Sequence, residues 1–109
     1  MSVAQWDIFT ARVWDGDHPV VIPTPSTLCR QPFLNVLGCS TLYSARPPDL
    51  RHEIVLDEAD GLERPTLCKL SRIHVVEASD LHLRRGRVCA ERQRQIGTQL
   101  IRLYALWRR

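Results

Sequence analysis

The sequence predicts a mainly β fold: a small, curved antiparallel sheet of five to seven short strands closing toward a barrel, with one C-terminal α-helix packed over it. Short runs rich in β-branched residues, such as Val20-Val21-Ile22, alternate with turn signals at close intervals. Only the last segment has helical periodicity: Ile96, Leu100, Leu103, Tyr104 and Trp107 recur three or four residues apart. The 109 residues suit a single domain, 1–109, whose small core gains from dimerisation.

Trp6 to Val13 alternates loosely and predicts the first strand. Trp14-Asp15-Gly16-Asp17 is a tight turn, which makes a hairpin with a second strand from His18 to Pro23. Thr24-Pro25-Ser26-Thr27 breaks that strand, with room for a short helical turn. Phe33 to Tyr43 is the third strand, with Gly38 marking a bulge or a close backbone approach. A proline-rich loop over Ala45 to Leu50 leads to a fourth strand, His52 to Asp57, and an acidic turn, Glu58 to Glu63. Two further strands are expected at Pro65–Leu70 and Ile73–Glu77, broken around Ser71-Arg72, and a short strand near Arg87-Val88. The helix is expected from Ala90 to Trp107, about 27 Å at 1.5 Å per residue. Cys89 stands at its N-cap, a weak substitute for serine.

Apolar content of 44% and charged content of 25% are ordinary for a globular protein. No apolar run approaches the roughly 18 residues that cross a bilayer, and the N-terminus has no signal-peptide pattern, so the expected compartment is the cytoplasm. Cys29, Cys39, Cys68 and Cys89 form no C-x-x-C pair and suit no zinc spacing; buried, reduced thiols are expected, with no metal and no cofactor. Residues 1–70 carry nine acidic and six basic side chains, whereas residues 71–109 carry three acidic side chains and nine arginines. Every cation but Lys69 is arginine, the side chain that grips phosphate in a fork and stacks on bases. A polyanion partner and a solvated basic helix face account for this asymmetry equally well.

Strands two and three, side by side, bring the His18 imidazole near the Ser40 and Thr41 hydroxyls at one rim, with Arg46 in the loop just beyond. An imidazole, two hydroxyls and a guanidinium are the groups that bind a phosphodiester and act on it. Trp14 offers a stacking surface for a base, and the tract Arg84-Arg85-Gly86-Arg87 offers contacts to phosphates or to an acidic protein tail. His74, in an apolar strand, reads as a core or half-buried histidine.

Four stretches occur in a telling order: Pro19-Val20-Val21-Ile22, Val36-Leu37-Gly38-Cys39-Ser40-Thr41, Leu56-Asp57-Glu58-Ala59-Asp60-Gly61-Leu62 and Gly86-Arg87-Val88-Cys89-Ala90-Glu91. Together they resemble the PemK/MazF family of toxin endoribonucleases from bacterial toxin–antitoxin pairs. The resemblance implies an SH3-like barrel, a homodimer, and metal-free cleavage of single-stranded RNA at short sequences through 2′-hydroxyl attack. It also implies a cognate antitoxin. His18, Ser40, Thr41 and Arg46 are the catalytic candidates it suggests; Trp14, Arg51, Lys69, Arg84, Arg85 and Arg87 are the RNA-binding ones. The family's arginine before the second-strand proline is His18 here, so Arg46, Arg51 or Lys69 has to supply the fixed positive charge. Two alternatives remain: a gyrase-inhibiting toxin of the CcdB type on the same barrel, and a non-catalytic module that binds RNA or protein.

Overall fold

The computed structural model describes residues 2–41 and 47–106. Its strands are β1 (Asp7–Val13), β2 (Gly16–Val21), β3 (Phe33–Thr41), β4 (Glu53–Leu56), β5 (Thr66–Glu77) and β6 (His82–Arg87); the helix is α1 (Ala90–Leu103). All six strands form one antiparallel sheet in the order β4-β5-β3-β2-β1-β6. The fold is therefore mainly β with a terminal helix, as the alternation and the final stripe predict.

Successive residues of a strand point to opposite faces, and this sheet is covered on both. Ile8, Val21 and Leu37 join one apolar cluster, which takes in Ile96 of α1; their neighbours Phe9, Val20 and Val36 join another. The need to fill two faces explains the consecutive apolar residues Ile8-Phe9, Val20-Val21 and Val36-Leu37 in the inner strands.

Edge strand β6 comes against the turn that follows the other edge strand, β4. A Cβ on Gly86 of β6 would lie 2.1 Å from the carbonyl oxygen of Asp60, in the turn after β4, so glycine is required there. That turn, Glu58–Asp60, is held by reciprocal hydrogen bonds between Asp57 and Asp60. The backbone N–H of Cys89 donates to Asp60 Oδ1 at 2.8 Å, and Arg92 donates to both carboxylates, at 2.6 Å to Asp57 Oδ1. Asp60 thus accepts the N–H of the N-cap residue itself and, through Arg92, ties the helix to the barrel.

Some expected boundaries change. The strands predicted at 65–70 and 73–77 are one strand, β5; the discontinuity lies in its pairing with β3. β6 spans His82–Arg87, longer than the short strand predicted, because it pairs with β1. The described helix ends at Leu103, where Tyr104 forms the C-cap; Trp107, Arg108 and Arg109 lie outside the described residues. On the helix stripe Ile96 is buried and Leu100 half-buried, while the Tyr104 hydroxyl donates to the Leu70 carbonyl at 2.9 Å. All four cysteines are free thiols. Cys39 and Cys68 face each other across β3 and β5, and the neighbouring Cys39 thiol, with burial, pushes the Cys68 thiol well above its ordinary value. No helix among the described residues is long and apolar enough to cross a membrane.

Candidate functional site

The site begins at an irregularity in the sheet. Leu37 pairs with Ile73 and Cys39 with Cys68, so the single residue Gly38 stands against the whole run Lys69-Leu70-Ser71-Arg72. Such bulges bend a strand and re-aim its side chains. Here Lys69 and Arg72, on either side of the bulge, turn into one cavity of about 180 Å³, which Trp14, Asp15, His18 and Ser40 also line.

Each remaining wall has a local cause. The β1–β2 hairpin turns at Trp14 and Asp15, and Trp14 takes φ +56°, the left-handed conformation that a two-residue turn needs. Its indole lies over Gly38, where an added Cβ would come within 2.8 Å of Trp14 Cη2. The indole meets the His18 ring edge to face, with centroids 4.8 Å apart, and the His74 ring likewise at 5.3 Å. His18, paired with Ala11, lies with its Nε2 4.0 Å from Asp15 Oδ1.

The cations around the cavity differ in how far the chain itself occupies them. Lys69 Nζ lies 3.8 Å from Oε2 of the buried Glu53. Arg72 has no hydrogen bond or ion pair among the described residues. It is the guanidinium at the cavity that a phosphate can take without breaking an internal contact. Its charge is felt nearby: burial, then Arg72 and His18, lower the pKa of His74.

Of the sequence candidates, His18 and Ser40 meet at the cavity as strand pairing predicts, and Trp14 and Lys69 line it with them. Thr41, opposite Thr66 at the exposed end of β3, does not line the cavity, and Arg46 lies outside the described residues. Arg51 does not line it either: it binds Asp49 through Nε and Nη2, at 3.0 and 2.8 Å, and holds that carboxyl well below the usual carboxylate range. Arg84 and Arg87 both reach the buried carboxylate of Asp7, at 3.0 and 3.3 Å, and Arg85 donates to Thr10. That tract therefore braces the β6–β1 seam without lining the cavity, and Arg84 and Arg87 stay half-exposed. Arg72 and Asp15 are absent from the sequence candidates; the expected break at Ser71-Arg72 is the signal that could have found Arg72. No cluster of residues able to hold a metal ion occurs among the described residues. Two larger, open hollows, of about 610 and 790 Å³, contain no imidazole, so size and chemistry point to different places.

No family model matches the sequence, and no curated protein matches it. Solved structures do. The Mycobacterium tuberculosis toxin MazF-mt6 superposes with a TM-score of 0.78 at 18% identity, over 91% of this chain and 96% of that one. The fold is that of the MazF toxins. A mycobacterial endoribonuclease in complex with its cognate antitoxin gives 0.81 at 15% identity, over 98% of this chain and 99% of the other. The MazE–MazF complex from Deinococcus radiodurans gives 0.71 at 9% identity, over 95% and 96%. At such identities the MazF-like likeness concerns the path of the chain; the side chains of the cavity have to be argued by themselves.

Proposed function

We propose that this chain is the toxin of a bacterial toxin–antitoxin pair, a metal-independent endoribonuclease that cuts single-stranded RNA at short sequences. The observation that carries the reading is the convergence of His18, Ser40, Lys69 and Arg72 on one small cavity of a MazF-like barrel. Its partners are single-stranded RNA, a cognate antitoxin and a second copy of itself.

In the proposed step the ribose 2′-oxygen attacks phosphorus, and His18 Nε2 accepts the 2′ proton. The P–O5′ bond breaks, the 5′-oxygen takes a proton from solvent or from the imidazolium just formed, and a 2′,3′-cyclic phosphate remains. Arg72 and Lys69 face the negative charge that grows on the phosphoryl oxygens, and the Ser40 hydroxyl donates to one of them. Arginine at position 72 supplies the fixed charge that histidine at position 18 does not. Arg46 and Thr41 stay as candidates for the flanking nucleotides, and Trp14, 40% exposed as a residue, as a surface for a base. Exposed Phe33, Ile73 and Val75, adjacent on one face through the β3–β5 register, support the dimer.

The test is incubation of the purified protein with long, mixed-sequence single-stranded RNA in EDTA, followed by mapping of the cut ends. Discrete cuts ending in 2′,3′-cyclic phosphates are expected. Intact RNA at high excess of folded protein would sink the enzyme reading and leave a binding module or a gyrase-type toxin.

A further inference from the structure

We propose that His74 is a positioning residue for this reaction: it clamps the Trp14 indole against Gly38, and Trp14 in turn fixes the His18 ring at the cavity. The inference rests on the ribonuclease reading for its kinetic consequence, though the clamp itself can be tested without RNA.

The three rings form a continuous stack. His74 meets Trp14 at 5.3 Å and Trp14 meets His18 at 4.8 Å, both with ring planes at 89°. Gly38 is the floor: a Cβ there would lie 2.8 Å from Trp14 Cη2 and 3.2 Å from His74 Nε2, so any side chain would drive the two rings outward. His74 does not line the cavity, and its buried Nε2 has no hydrogen-bond partner. A buried, unpartnered ring nitrogen is unfavourable, so this imidazole has a role other than satisfying the sheet. Its role is steric. Trp14 sits in a two-residue hairpin turn, and the groups that pack against its indole are the His18 and His74 rings and Gly38. His74, held in β5 opposite Val36, restrains the indole from its side. The groups facing it, Arg72 on its own strand and His18 on β2, add to burial in disfavouring its charged form, so the clamp stays an uncharged ring at neutral pH.

The experiment pairs His74→Ala with His74→Phe, which keeps an aromatic ring and removes the nitrogens. Two readouts are taken: the His18 ring proton shifts by NMR, and kcat and KM on RNA. In His74→Ala the ring-current displacement of the His18 protons by Trp14 should be lost, and kcat should fall about ten- to a hundredfold, with KM nearly unchanged. His74→Phe should restore both. Gly38→Ala, which pushes Trp14 from the other side, should reproduce the His18 shift change with His74 intact. Unchanged His18 shifts in folded His74→Ala would overturn the proposal. So would folded His74→Phe behaving like His74→Ala, since the nitrogens, not the packing, would then matter. If the parent protein cuts no RNA, the ribonuclease reading fails, and the NMR arm still decides the clamp.

Discussion

Arg72 and Arg92 carry the same guanidinium and meet opposite fates. Arg92 reaches from the first turns of α1 to Asp57 and Asp60, making a two-pronged contact with Asp57 at 2.6 and 3.0 Å. Its pKa is raised, first by the hydrogen bond to Asp57, and the Asp57 carboxyl is lowered in return, first by Arg92. Arg72 sits at the β5 bulge beside His18 and Ser40 with no partner among the described residues. One cation is consumed in closing the barrel; the other is held open at a cavity. Residue type and local charge do not separate the two roles. Whether the fold brings a carboxylate to the cation does.

The largest effect should come from the cavity. His18→Ala is expected to lower RNA cleavage by about 10³-fold, within the range for loss of a general acid–base, with an unchanged melting temperature. Cleavage retained in a folded variant would remove His18 from the mechanism. Arg92→Leu should do the reverse. It strands the fully buried Asp60 carboxylate, so urea denaturation should report a loss of about 3 kcal/mol, while turnover per folded molecule stays the same. Arg72→Ala should cost about 10²-fold in kcat/KM, part of it recovered by Arg72→Lys, with little change in the urea midpoint. If Arg72→Ala destabilised the protein as much as Arg92→Leu, the contrast between the two arginines would collapse.

The smallest effect is in pH dependence, and it separates the two regions again. The folded pKa of His74 is below its ordinary 6.5, so the unfolded chain takes up the proton first as pH falls. Stability present above about 6.5 is then lost as pH drops toward the folded value. Asp57 is likewise lowered from 3.8, so its contribution is present above that value and lost as pH falls through the folded one. Chemical denaturation across pH 7 to 3 should show an upper step that His74→Phe removes and an acid step that Arg92→Leu diminishes. A single step untouched by either variant would contradict both assignments.

Much of the fold was legible because a sheet covered on both faces writes short apolar pairs and triplets into its strands, and because one segment alone has helical spacing. Pairing the second and third strands was enough to bring His18 to Ser40. For Arg72 the sequence marked the place, in the break at Ser71-Arg72, but not the direction of the side chain, which depends on the shifted register of β5 against β3. The internal contact of the tract at Arg84 to Arg87 was hidden for a related reason. Its neutralising partner, Asp7, lies at the far end of the chain and comes near only when β6 pairs with β1. The helix was expected to run to Trp107, yet Tyr104 caps it, and its hydroxyl bonds the Leu70 carbonyl rather than continuing the stripe.

Lys69 is the only lysine in the chain, and it sits in the wall of the cavity. Among these 109 residues no other side-chain amine competes for an acylating reagent. A mild amine-reactive tag would therefore mark the cavity by default. Its rate of attachment, followed by intact mass, would report whether that wall is covered or bare in any mixture containing the protein.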